Sequence, residues 1–344
     1  MKTKHLFFAV ALAAALLGST SCKKEDIPAP AGYTMMLKTT LAVGENIKLY
    51  IDAELADQSG VWIDLNNNGT QDAGENAVTF AKNTDYKLGS QTITLHGKVT
   101  KFVCRVCKIT QLTVSDNPAL HELNCFDNEL TALDISKNTA LTELVCFFNR
   151  LTALDISKNT ALKGLYCDLN QLTALDVSNN TALTALNCST NQLTALDVSK
   201  NTALTKLVCY NNQLTALNVS NNTALTELRC SENQLTTLDV SKNTALTGLY
   251  CYDNQLTTLD VSKNTALTEL HCYSNQIKSV AMKTLLNNLP QLTNPAKVYI
   301  WNKPDGNEKP LFTLPAERTM FFTILTSKKW TLYQFDGVNW VPYP

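Results

Sequence analysis

The chain has 344 residues, with 29 Lys and Arg against 30 Asp and Glu, a net charge of −1 and a pI near 6.4. Its basic residues are scattered rather than gathered, which argues against the electrostatic footprint of a nucleic-acid binder. Of its eleven cysteines, nine recur at a constant interval, so the domain count follows the repeats and not a length rule.

Residues 1–21 carry Lys2 and Lys4, an apolar run from Leu6 to Leu17, and Gly18-Ser19-Thr20-Ser21 ahead of Cys22. This reads as a secretory signal peptide, too short to span a membrane as a helix. It looks like a lipoprotein signal, although Ser19 stands where leucine is usual. On that resemblance Cys22 becomes the lipidated N-terminus; the alternative is ordinary cleavage that leaves a free thiol. Residues 22–32, with Lys23, Lys24, Glu25 and Asp26 before a Pro/Ala/Gly stretch, read as a polar tether. The expected location is the cell envelope, anchored to the outer membrane by the N-terminal lipid alone and exposed at the surface.

Residues 33–98 alternate apolar and polar side chains in Met36-Leu37-Lys38-Thr39-Thr40-Leu41 and Ile47-Lys48-Leu49-Tyr50-Ile51, the period-2 pattern of short strands. A small β-rich cap is predicted, because a repeat array needs its first hydrophobic end covered. Within it, the stretch from Asp64 to Glu75 satisfies the calcium-loop pattern D-x-[DN]-x-[DN]-G-x5-E. Asp64, Asn66 and Asn68 would offer side-chain oxygens, Thr70 a carbonyl, Asp72 a held water and Glu75 both carboxylate oxygens, with Gly69 allowing the sharp turn. The preceding Val61-Trp62-Ile63 reads as a strand and no helical pattern follows. The expectation is an EF-like loop holding Ca2+ in a structural role; the alternative is a metal-free turn favoured by Asn and Gly. No organic cofactor is indicated.

Cys104, Cys125, Cys146, Cys167, Cys188, Cys209, Cys230, Cys251 and Cys272 are spaced 21 residues apart, and the unit around them is seen cleanly from Leu183 to Ala203 as LTALNCSTNQLTALDVSKNTA. A fixed period of this length predicts a solenoid in which each motif position becomes a ladder with rungs about 4.8 Å apart. Leu141, Leu144, Cys146, Leu151, Leu154 and Ile156, with their counterparts, point inward. At roughly 1.5–3 kcal/mol per buried aliphatic side chain, a repeat gains on the order of 10 kcal/mol before chain entropy is subtracted. Asn128 and its counterparts through Asn275 fall where the chain turns inward, and their amides can pair with backbone groups there.

The cysteine ladder itself reads as core. Stacked residues project their Cβ atoms in parallel, which does not suit a disulfide dihedral near 90°, and a line of thiols does not converge on a zinc ion. Buried free thiols are therefore expected. Cys104-Arg105-Val106-Cys107 has C-x-x-C spacing, but Cys107 falls at the asparagine position and no βαβ pattern surrounds it, which argues against a redox site.

The segment L-x-x-L-x-C-x-x-N resembles the strand and turn of leucine-rich repeats, with cysteine where leucine is usual. The repeats are most similar to the internalin family in its cysteine-ladder type, over roughly residues 99–280. This resemblance implies a mainly β fold, a curved solenoid whose parallel sheet lines the concave face, which binds partners and carries no chemistry. An α/β cap is expected over residues 281–344, where 281–289 has helical spacing and 297–301 and 330–335 read as strands. Turns are expected at Pro304-Asp305-Gly306 and Asp336-Gly337.

Comparison of the repeats within the chain locates the candidate site. The position before each cysteine runs Asn124, Val145, Tyr166, Asn187, Val208, Arg229, Tyr250, His271, and the position after it runs Phe126, Phe147, Asp168, Ser189, Tyr210, Ser231, Tyr252, Tyr273. The inside is held constant while these positions vary, with Phe148 and Leu169 adding apolar surface. Phe126, Phe147, Phe148 and Tyr166 form one candidate patch, and Tyr250, Tyr252, His271 and Tyr273 another; Tyr210 and Arg229 complete the set. Clustered exposed aromatics suggest recognition, although rings on a sheet can simply pair with their neighbours. No constellation for catalysis emerges, and the expected function is non-enzymatic binding of a protein at the cell surface, by analogy with internalins. The alternatives are a glycan ligand or an envelope scaffold.

Overall fold

The computed structural model describes residues 32–301, 315–335 and 340–342. The signal, most of the tether including Cys22, and the two turns expected at 304–306 and 336–337 lie outside them.

Seven strands open the chain: β1 (Thr34–Thr39), β2 (Asn46–Asp52), β3 (Trp62–Asp64), β4 (Lys82–Lys87), β5 (Thr92–His96), β6 (Lys101–Val103) and β7 (Ile109–Thr113). The first two fall where alternation places them, burying Met35 and Leu37 on one strand and Ile47, Leu49 and Ile51 on the other. Strands β3, β5, β1 and β7 form a four-stranded sheet, while β2 and β4 join a second sheet of 14 strands.

That second sheet is the solenoid. The rungs β8 (Glu122–Asn124), β9 (Glu143–Val145), β10 (Gly164–Tyr166), β11 (Ala185–Asn187), β12 (Lys206–Val208), β13 (Glu227–Arg229), β14 (Gly248–Tyr250) and β15 (Glu269–His271) pair in parallel, each leucine opposite the next leucine. Strand β6 is the first rung, Lys101 opposite Glu122. Each strand is only three residues long because its central leucine and the following cysteine both turn inward, and the chain then leaves the sheet. The ladder cysteines are all free and at most 1% exposed.

The exit from each strand is a left-handed residue followed by asparagine. Asp127, Phe148, Leu169, Thr190, Asn211, Glu232, Asp253 and Ser274 all have φ between 50° and 54°, a region costly for side chains with a Cβ. The asparagines compensate. Asn212 Nδ2 donates to the carbonyls of Cys188, Cys209 and Tyr210 at 3.1–3.3 Å, and its Oδ1 accepts Leu193 N–H at 3.0 Å. A second asparagine column runs from Asn117 to Asn264, wholly buried, each amide from Asn138 onward donating to two carbonyls of earlier repeats, as Asn201 does to Val177 and Asn180 at 2.9 Å. The aspartates of the repeats close local turns, Asp155 Oδ1 accepting Ser157 N–H at 2.9 Å.

The sheet does not stop at the last cysteine. Helix α1 (Ser279–Asn288) takes the place of the repeat's loop, and β16 (Ala296–Trp301) adds in parallel to β15. Helix α2 (Pro315–Ser327), which the residue pattern does not announce, then leads to β17 (Trp330–Phe335), again parallel, and β18 (Trp340–Pro342) closes the edge antiparallel. Trp330 is 3% exposed and its Nε1 donates to Pro290 O at 2.9 Å, fixing this end.

Candidate functional site: the solvent face of the parallel sheet

Three rows of side chains cover the face of the sheet turned away from the core. The row before each cysteine, as read from the sequence, continues through Tyr299 and Tyr333. Two residues earlier runs a row that the sequence comparison passed over: Lys101, Glu122, Glu143, Gly164, Ala185, Lys206, Glu227, Gly248, Glu269 and Lys297. Its variability against an invariant neighbouring leucine was the available signal.

Toward the C-terminal end, Tyr250 stacks on His271 at 4.7 Å, His271 on Tyr299 at 3.9 Å, and Tyr299 on Tyr333 at 4.9 Å. The Arg229 guanidinium covers the free end of the stack, 4.3 Å from the Tyr250 ring centre, and Lys297 stands over Tyr333. Beneath the rings, Glu227 pairs with both Lys206 and Arg229, and Glu269 Oε1 lies 2.9 Å from His271 Nε2. Burial lowers the His271 pKa against the opposing pull of Glu269, and burial pushes the Tyr250 phenol up to about 12. In the adjacent row Tyr252 stacks on Tyr273 at 4.5 Å; Tyr273 lies edge-on to His271 at 6.4 Å and Tyr252 is tilted to it at 6.5 Å. Tyr250, Tyr252, His271 and Tyr273 are thus brought together as two stacked pairs, each ring half-buried.

The other candidate patch is divided. Phe126 and Phe147 stack at 4.5 Å, with Arg105 beside Phe126. Tyr166 folds back over Gly164, the site where a Cβ would meet its ring at 3.2 Å. Phe148 stands apart at the lip of the sheet, 53% exposed beside Leu169 at 41%. These two line an open groove of about 490 Å³ with Asp127, Glu129, Arg150 and Thr190, where Arg150 pairs with Glu129 at 3.2 Å. Tyr210 stands between two buried serines of its row, Ser189 and Ser231.

In the cap, the loop that follows β3 is closed by its own hydrogen bonds. Asp64, 1% exposed, accepts Asn68 N–H and Gly69 N–H at 3.1 and 2.8 Å; Glu75, 6% exposed, accepts Leu65 N–H and Asp72 N–H, both at 2.8 Å. The side-chain amides of Asn66 and Asn68 both donate to Asp72 Oδ2, and Asn68 Oδ1 accepts from Thr70. Among the described residues no group of three or more His, Cys, Asp and Glu side chains is gathered as a metal site. Cys104 and Cys107 are buried free thiols with raised pKa values, about 11 for Cys107, through burial. A redox pair needs the opposite shift.

Comparison with known proteins agrees with this architecture. Neither a family model nor a curated protein matches the chain. Among solved structures, the functional domain of InlJ from Listeria monocytogenes, described as including a cysteine ladder, is 44% identical over 59% of this chain and 44% of that one, with a TM-score of 0.55. A leucine-rich-repeat protein from Leptospira interrogans, 23% identical, covers 63% of this chain and 56% of its own with a TM-score of 0.52, a likeness of fold. The chain therefore spans about half the length of these two structures. It is a leucine-rich-repeat solenoid with a cysteine ladder, similar to the internalin-type domain of InlJ.

Proposed function

We propose that this protein is a non-enzymatic scaffold that binds another protein on the solvent face of its parallel sheet. The observation that carries the reading is the contrast between an invariant interior and three diversified outer rows, in which aromatic rings and paired charges occupy positions the fold does not need. Such surfaces, with Tyr, Phe and Arg among their anchors, suit protein partners. The stacking speaks against a sugar ligand at the C-terminal patch, since a sugar ring needs a free aromatic face and those of His271 and Tyr299 are taken. In this reading Cys22 carries a lipid, the tether holds the solenoid away from the outer membrane, and binding serves adhesion at the cell surface. Protein and glycan arrays probed with the purified full chain test it: protein ligands support the reading, and retention of glycans alone refutes it. Labelling cells with radioactive palmitate tests the anchor, which fails if a Cys22→Ala variant is labelled as strongly as the parent.

We also propose that the loop from Asp64 to Glu75 takes Ca2+ as a structural ion. Both carboxylates are turned into the loop and nearly covered, and rotation of the Asn66 and Asn68 amides would exchange donors for acceptors. Loops of this kind work at roughly 0.1–1 mM outside the cell. Calorimetry that detects no heat at millimolar Ca2+ disposes of the idea.

A further inference from the structure

Most charges on the solvent face of the sheet are met by partners. Lys101 pairs with Glu122, Glu227 with Lys206 and Arg229, and Glu269 with His271. Glu143 has no ion pair but is exposed to solvent, whereas Asp168 lacks one while half-buried. Beyond Arg105 on the first rung, the other members of its row are phenylalanine, serine and tyrosine, and its Oδ1 is buried without a hydrogen-bond partner. Among the described residues no lysine, arginine or histidine nitrogen lies within ion-pair distance of it. The hydroxyl on the next rung does not help, because Ser189 Oγ donates to Asn187 Oδ1 at 2.8 Å. A carboxylate held half-desolvated with no cation beside it is costly, and burial pushes its pKa up to about 6 against the opposing pull of its own backbone N–H.

On the preceding rung Phe147 has one face stacked on Phe126. Its other face turns along the ladder axis toward the rung of Asp168. An aromatic wall beside a carboxylate without a cation matches the guanidinium group, which stacks on aromatic faces and can pair with the accessible carboxylate oxygen.

We propose that Asp168 is the socket for a basic side chain, arginine by preference, of a polypeptide partner, with the Phe147 ring as its wall. This rests on the reading of the sheet face as a protein-binding surface, and it states what such a partner must carry. Occupation would supply the ion pair that the chain lacks.

The test pans the full chain against a phage-displayed library of random dodecapeptides. The expected result is a retained set sharing an arginine or lysine at one position. A synthetic peptide of that consensus should bind Asp168→Asn at least about 30-fold more weakly than the parent, as for truncation of one partner of a buried charge pair. Replacing its arginine by citrulline should weaken binding to the parent by a similar factor but change little on Asp168→Asn. The citrulline arm uses the unaltered protein and decides even where the variant folds poorly. Retained peptides without a shared basic residue, or equal binding to parent and variant, overturn the socket and leave the protein-binding reading standing. A library from which nothing is retained overturns both.

Discussion

The Tyr250 ring lies across Gly248, two residues earlier on the same strand, so closely that a Cβ at position 248 would stand 3.1 Å from Tyr250 Cε2. The same Gly-Leu-Tyr arrangement recurs at Gly164 and Tyr166. In both strands the missing side chain lets a large ring lie flat on the sheet. Gly248→Ala should therefore cost about 1 kcal/mol, as overpacking partly offset by reduced freedom of the unfolded chain. In a Tyr250→Ala background it should cost nothing. Denaturant titration of the four proteins measures the coupling, and equal costs in both backgrounds contradict the contact.

Each ladder asparagine serves both the repeat before it and its own. Replacing Asn212 by Ala leaves the N–H of Leu193 buried without a partner and takes one of two donors from the carbonyls of Cys188 and Cys209, a loss on the order of 2 kcal/mol. Asn212→Asp should be at least as damaging, since it removes the donors and buries a charge. The exposed Thr152→Ala should change stability by less than about 0.5 kcal/mol. Urea unfolding monitored by circular dichroism checks the order; a mild Asn212→Ala would show that the column is not what holds neighbouring repeats together.

Burial pushes the thiols of Cys125, Cys188 and Cys230 up to about 12, so they are neither thiolates nor accessible in the folded chain. Among the described residues all ten cysteines are free. Ellman's reagent should find fewer than one of these ten in the native protein and all ten after guanidinium unfolding without reductant. A count well below ten in the unfolded protein would mean that disulfides link the ladder.

Asp168 gives a pH dependence of unusual sign. Its folded pKa is raised to about 6 from 3.8, so the folded state binds a proton that the unfolded state does not between those values. Its unfavourable contribution is complete above pH 6 and fades as pH falls toward 4. Asp168→Asn should raise the melting temperature at pH 7 and leave it unchanged at pH 4. Scanning calorimetry of parent and variant at both values decides this, and a variant less stable at pH 7 would mean that the carboxylate has a partner within the fold.

The periodic parts of this molecule were legible because every repeat tests the same rule. The inward leucines, one cysteine and one strand-exit asparagine per repeat define the ladders, and the stacking of rungs follows. What the sequence left obscure lies where the period breaks or where geometry between rungs matters. Tyr299 and Tyr333 continue the aromatic row, yet they follow helices that lengthen the repeat, so a 21-residue ruler misses them. Gly164 and Gly248 carry no side chain, and their role depends on rings two residues away. Phe147 and Phe148 are neighbours in sequence, but the left-handed backbone at Phe148 sends it to a different surface. The repeat sets Asp168, directly after a cysteine, apart from the turn-closing aspartates, but nothing in the residue pattern shows that it lacks an ion-pair partner.

Calorimetry with an array-selected protein ligand tests the central claim most directly. Phe148→Asn with Tyr210→Ser alters the sheet face and its lip without breaking a ring stack, while Thr152→Lys with Thr194→Lys alters exposed positions elsewhere on the repeats. The account predicts that the first pair weakens binding at least about 30-fold, in the range of interface hot spots, at a melting temperature no lower than the parent's, and that the second pair changes affinity less than about twofold. The reverse order, or equal affinity throughout, would place recognition somewhere other than the sheet face.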